Sequence, residues 1–288
     1  MTALAERAAS PARAATLRTL AGVEARRYAR HPLFLIGVVV LIYVTATESY
    51  GGFDPRSGGA TFVPAFFLGV LGVFVAHALT RSTAPSTDAV GAAPTDSVTR
   101  TAALCLACLV PGVVAIGRVT WTYVAMSMWP AAETAGISTV ERAFVYAAAV
   151  AYAVGGPLVG VMVGRWTRFP GAGLLAAVGL VGWSTLAAGG GLAMPASRFS
   201  NLVRLSGPFT GWESSDGQGE PSWIAGGSPG WYLAYITLLC GLAATAAMLH
   251  EASGRQRSRL LRLLVILGTL AIACLGLAVA ADPTRVPL

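Results

Sequence analysis

The chain contains no lysine: all 20 of its basic residues are arginine. Charge of either sign is scarce, at 11% of 288 residues, where a soluble domain carries about 25%. So little charge does not coat a water-soluble globule. A hydrophobic content of 55% and a mean hydropathy of +0.65 leave ample apolar surface to face lipid. Signatures of chemistry are missing as well. No G-x-x-x-x-G-K-[ST] occurs, so the chain binds no ATP through a P-loop. There is no H-E-x-x-H and no G-x-S-x-G elbow. Only His31, His77 and His250 are present, and they are not spaced as a local ligand set. Each reads as an interfacial polar residue rather than a metal ligand. Cys105, Cys108, Cys240 and Cys274 lie inside apolar runs. The C-x-x-C at 105–108 therefore lacks the polar setting and the further ligands of a redox or zinc site, and no disulfide is expected.

The net charge of +7 does not indicate nucleic acid. The arginines sit beside hydrophobic runs and form no stripe interleaved with aromatics. What is present is a series of long apolar runs, near 33–47, 61–80, 101–126, 143–164, 171–194, 232–248 and 263–281. A spanning helix needs roughly 17–25 mainly apolar residues. The first run is short and borrows Pro32 and the end of the preceding helix. The expectation is an all-α polytopic membrane protein with about six to seven transmembrane helices; seven runs are counted. Residues 1–32 form a tail and interfacial helix, and 33–288 a single membrane domain.

Arginine asymmetry orients it. With the N-terminus inside, the inside segments carry 14 Arg against 5 acids, and the outside segments 5 Arg against 8 acids. The positive-inside rule then places the N-terminus in the cytoplasm and Asp282–Leu288 outside the cell membrane. The long outer segment 195–231 holds Trp212, Trp223 and Trp231, residues suited to the headgroup level, and Ser197–Leu205 is read as a short surface helix.

From Leu17 to Tyr28, the apolar positions Leu17, Leu20, Ala21 and Tyr28 recur at helical spacing, with Arg18, Arg26 and Arg30 on another face. This predicts an amphipathic helix in the inner interface, its arginines toward lipid phosphates. Arg118 is the one charge deep within a run. It lies near the outer end of its span, so snorkelling to the outer headgroups is the expected state. The other reading is a polar cavity in which it pairs with Glu48 or Glu141. Gly155-Gly156-Pro157 interrupts the fourth run. It reads either as a hinge or as a site of close helix packing.

The segment Arg81–Arg100, RSTAPSTDAVGAAPTDSVTR, is polar and joins two spans on the inside. Ser86 or Thr87 suits a helix N-cap, Asp88 suits the positive end of that helix, and Pro94 stops it. A capped helix over Ser86–Ala93 is therefore expected, with a solvated loop as the plain alternative.

Glu24-Ala-Arg-Arg-Tyr-Ala-Arg-His-Pro32, leading into an apolar span, resembles the N-terminal signature of ABC-2 type permeases, especially actinobacterial ones. Glu24, Arg26, Arg27 and Arg30 are the residues that carry it. The loop with Pro94, then Arg100-Thr101-Ala-Ala-Leu, resembles the family's loop between spans two and three. Gly164–Gly171 and the WYLAYITLL start of span six are similar too. The resemblance departs in two places: Asp88 and Asp96 stand where the family loop carries glutamates, and the family norm is six spans.

The resemblance implies a transport subunit of an ATP-binding cassette exporter, with no catalytic site of its own. ATP and Mg would be held by cytosolic ATPase partners, and no cofactor or metal by this chain. A second permease subunit, of the same or a different chain, would complete the membrane unit beside the membrane lipids; no nucleic acid is involved. Ser86, Thr87, Asp88, Val90, Pro94, Asp96 and Arg100 would touch the ATPase. The rival readings are a non-transporting membrane anchor or assembly subunit and a membrane-embedded lipid-modifying enzyme. The latter needs acid, base or metal groups clustered at one membrane face, which the sequence does not display.

Overall fold

The computed structural model describes residues 2–50, 63–82, 96–128, 139–193, 197–209, 213–214, 223–224, 227–281 and 286–287. Its helices are α1 (Thr2–Ala29), α2 (Pro32–Tyr50), α3, α4 (Ser97–Ala107), α5 (Val110–Met128), α6 (Thr139–Trp166), α7 (Ala172–Ala193), α8 (Arg198–Ser206), α9 (Pro229–Glu251) and α10 (Gly254–Ala280). α3 opens with a π-helical stretch, Ala65–Val70, and continues as Leu71–Ser82. Three two-residue strands, β1 (Glu213–Ser214), β2 (Trp223–Ile224) and β3 (Val286–Pro287), pair antiparallel in that order.

The protein is an all-α polytopic membrane protein. Without water to satisfy backbone groups, an apolar run crosses lipid only by closing its hydrogen bonds within a helix. Among the described residues six stretches are long and apolar enough: Ala65–Ser82, Ser97–Val124, Ala143–Trp166, Ala172–Gly189, Pro229–Glu251 and Gly254–Ala280. The expected first run lies in α2. With α1 it forms a pair bent by 63°, a seventh crossing if the pair is taken as one. Pro32 explains the break: it lacks an N–H, so it suits the first turn of α2 and disfavours helix in the residue before it. Pro111 acts likewise in the first turn of α5, just after the α4–α5 break at Cys108–Leu109.

Two expected loops are shorter than the sequence implied. Arg81 belongs to α3, and Arg100 to the first turn of α4, so only residues 83–95, outside the described residues together with the expected Ser86–Ala93 helix, and Asp96 lie between them. The interval 249–262 between the last two apolar runs holds only Ala252–Ser253 outside helix. α10 starts at Gly254, whose φ of +53° lets the chain reverse. Arg255 to Arg262 are helical because arginine is a good helix former and simply extends an apolar helix into a polar zone.

α6 is the centre, packing on α3, α5, α7 and α9. Its GGP segment does not interrupt it: α6 runs continuously through Pro157. The packing reading holds. A Cβ on Gly156 would collide with the Gly69 carbonyl of α3, and one on Gly160 with the Val73 carbonyl. The two backbones therefore touch, as small residues permit in lipid. Around this contact lies a core that includes Leu68, Val75, Ala153, Leu158 and Val161. The apolar stretches of α3 and α6 are each 61% buried, against 28% for α7 and 17% for α10. α7 and α10 thus form the perimeter, presenting Leu175, Val178, Val265 and Ile272 outward.

Candidate functional site

One end of the bundle gathers the last turns of α1, α3, α6 and α9 with the first turns of α4, α7 and α10. Tyr28 anchors α1 there. Its ring is buried, meets Phe34 edge-on at 5.2 Å, and lies in the same core cluster as Val75, Leu104 and Leu158. A Cβ on Gly72 would stand 2.8 Å from the Tyr28 hydroxyl, so α3 needs a glycine where tyrosine enters. The preceding residue, Arg27, donates to both Glu24 carboxylate oxygens at 3.0 Å and to Ser82 Oγ at 3.0 Å. Ser82 is the final residue of α3. Helix α1 is therefore tied to the C-terminal end of α3. The less exposed positions of α1 include Leu17, Leu20, Ala21, Glu24 and Tyr28, which share one face, and α1 packs along α4. Arg18, Arg26 and Arg30 remain exposed, as the apolar spacing requires.

Behind this contact α6 and α9 are joined by two interactions. Arg165 donates to Glu251 Oε1 at 3.4 Å, both side chains being largely buried. Trp166 Nε1 donates to the Ala246 carbonyl at 2.9 Å, and its ring meets His250 edge-on at 5.3 Å. Glu24, Arg100 and Cys105 lie close enough to Arg165 to act on it electrostatically. An excess of cations is thus concentrated in a partly dry setting, where Coulomb interactions are stronger than in water.

Asp96 and Arg100 flank this region. Asp96 is the N-cap of α4, its side chain accepting from the Val98 N–H at 3.4 Å. Arg100 is half-buried and faces the Arg165 neighbourhood. Of the expected contact residues, Ser86, Thr87, Asp88, Val90 and Pro94 lie outside the described residues. The structure thus brings together Glu24, Arg27 and Arg100 near Arg165, while Arg26 and Arg30 point away.

Arg118 is remote from this end. The snorkelling expectation is not met: the side chain is 8% exposed and turned into the bundle, where its guanidinium donates to Thr122 Oγ1 one turn along. Burial follows from its neighbours on that helical face, Pro111, Ala115 and Thr122, all of them buried. Glu141, one of the acids named for it, is exposed.

Sequence reading missed two groups. The pairing of Arg165 with Glu251 leaves no local sequence signal, because it joins residues 86 positions apart. At the opposite end, α8 carries Asn201 and Arg204 buried at 6% and 2% exposure. A signal existed: Ser197 and Ser200 form a reciprocal capping box, which starts the helix so that Asn201 and Arg204 share a face. Tyr232 closes that end, donating to the Gly207 carbonyl at 2.7 Å.

All four cysteines are free. Among the described residues no group of three or more His, Cys, Asp or Glu is placed to hold a metal. No protein family, curated protein or solved structure matches the chain.

Proposed function

We propose that this chain is the transmembrane permease subunit of an ATP-binding cassette exporter, its arginine-rich end facing the cytoplasm of a cell membrane. ATP and Mg would be held by a cytosolic ATPase, and a second permease subunit would complete the membrane unit. The C-terminus would then lie outside. The chain would move its cargo without altering it chemically.

The observation that supports this reading best is how α3 is held. A chain without a nucleotide motif must receive work through residues outside the lipid. Residues 83–95 connect α3 to α4 at the arginine-rich end. α3 is in backbone contact with α6 through Gly156 and Gly160, and its last residue is tied to α1 through Arg27. A push on 83–95 would therefore move α1, α3 and α6 as one body. α7 and α10, held over far less of their surface, would be the elements it moves against.

Copurification with a P-loop ATPase, followed by ATP-dependent cargo movement in proteoliposomes, tests the reading. Recruitment with movement supports it. Recruitment without ATP-dependent movement of any cargo would make the chain an anchor, and failure to recruit an ATPase would remove the exporter reading.

A further inference from the structure

We infer that α10 carries a binding site for the headgroup of an anionic phospholipid, formed by Arg255, Arg259 and Arg262. This rests on the membrane-spanning fold and not on the transport reading.

At 100° per residue, Arg255, Arg259 and Arg262 fall within an arc of about 60° on α10. The buried residues of the helix, Ala271, Cys274 and Ala278, fall on a different arc, turned toward α8 and α9. The three arginines thus project away from the bundle, and all three are exposed. Arg257 is also exposed but sits on the other side of the helix.

The arc continues along the same line without charge. Ile266, Leu270 and Leu277 follow on it, 56%, 48% and 46% exposed. The face is therefore divided along its length. Three cations occupy the polar end and an open aliphatic track follows directly. Arg262 and Ile266 are four residues apart, about 6 Å along the axis. This is the shape of one phospholipid, with a phosphate at the interface and an acyl chain below it. A free anion would match the arginines but leave the aliphatic track unused.

Among the described residues, local counter-charge is committed elsewhere. Glu24 is paired with Arg27, Glu251 with Arg165 and His250, and Asp96 with its own helix cap. Guanidinium donors suit phosphate oxygens in paired geometry, so arginine is the appropriate residue. Each basic residue near an anionic surface adds attraction that sums across the cluster.

The test uses the full chain purified in detergent, with phosphatidylglycerol and phosphatidylcholine of identical acyl chains as probes. Retained lipid is counted by native mass spectrometry. Wild type is expected to prefer phosphatidylglycerol. Arg259→Gln with Arg262→Gln should lower that preference by about tenfold. Arg168→Gln with Arg257→Gln removes the same charge from the same end, off the arc, and should lower it by less than about threefold. Equal losses from the two double variants would overturn the site in favour of diffuse surface charge. Displacement of the lipid by inorganic phosphate at matched concentration would overturn the lipid assignment. A readout on wild type needs no variant to fold. A phosphatidylglycerol bearing a photoreactive acyl chain should cross-link at Ile266 or Leu270, and labelling that avoids α10 would contradict the proposal.

Discussion

Arg165 and Glu251 form an ion pair at 3.4 Å between the last turns of α6 and α9. The pair ties α6 to α9 at the arginine-rich end of the bundle. Its side chains are 17% and 23% exposed, so it lies between a solvated pair and a fully buried one. Removing one partner strands the other charge in a partly dry site. Glu251→Gln is expected to destabilise the protein by about 1–3 kcal/mol, less than the loss for a fully buried pair. Thermal unfolding in detergent measures it, and a double-mutant cycle with Arg165→Met isolates the coupling. A cycle showing no coupling would mean that the pair is incidental.

The close approach of α3 and α6 makes a sharper prediction. Gly156→Ala adds a methyl group against the Gly69 carbonyl, which side-chain rotation does not relieve. The helices must separate, at a cost of about 1–3 kcal/mol. Gly179 on α7 has nothing within 4 Å of where a Cβ would go. Gly179→Ala should be neutral or stabilising by about 0.5–1 kcal/mol, because alanine restricts the unfolded chain. Equal melting temperatures for the two variants would refute the contact.

Arg118 bonds Thr122 inside the bundle, so lysine is not an equivalent there. Arg118→Lys keeps the charge but loses the planar fork. The variant is expected to insert normally and to melt at a lower temperature. Thr122→Val, which removes the hydroxyl and keeps the shape, should cost about 1 kcal/mol. Wild-type stability for both variants would place the guanidinium outside the bundle after all.

Orientation is tested by labelling. Pro287→Cys, in a background lacking Cys105, Cys108, Cys240 and Cys274, is expected to react with an impermeant thiol reagent applied from outside intact cells. Reaction only after permeabilisation would reverse the proposed placement of the C-terminus.

The spans were legible because a spanning helix leaves a mark that depends on little else: some twenty residues without charge. The short helix α8 was legible from Ser197 and the turn after it. The GGP segment was legible only as a choice between hinge and contact, since the atoms that decide it, the Gly69 and Val73 carbonyls, belong to another helix. The same limit hid Arg165 and Glu251, whose partnership is made by tertiary packing. Helix ends were misjudged where arginine was taken to mark a loop, at Arg100 and at Arg255–Arg262. Arginine is compatible with a helix that emerges from lipid, so charge located the interface but not the end of the helix. Arg118 was misjudged because its depth along α5 was readable and its rotational position was not.

The central claim, that a cytosolic ATPase drives this bundle through residues 83–95, is tested most directly by Val90→Asp. The substitution falls in the polar segment that joins α3 to α4, so insertion is expected to be unaffected, and it would put an unpaired carboxylate into the proposed dry contact, at a cost of several kcal/mol. Wild type and variant, expressed at equal levels with the ATPase, are compared for copurification and for ATP-driven export. The account predicts that wild type recruits the ATPase and exports, while Val90→Asp does neither. Undiminished recruitment and export by Val90→Asp would contradict it.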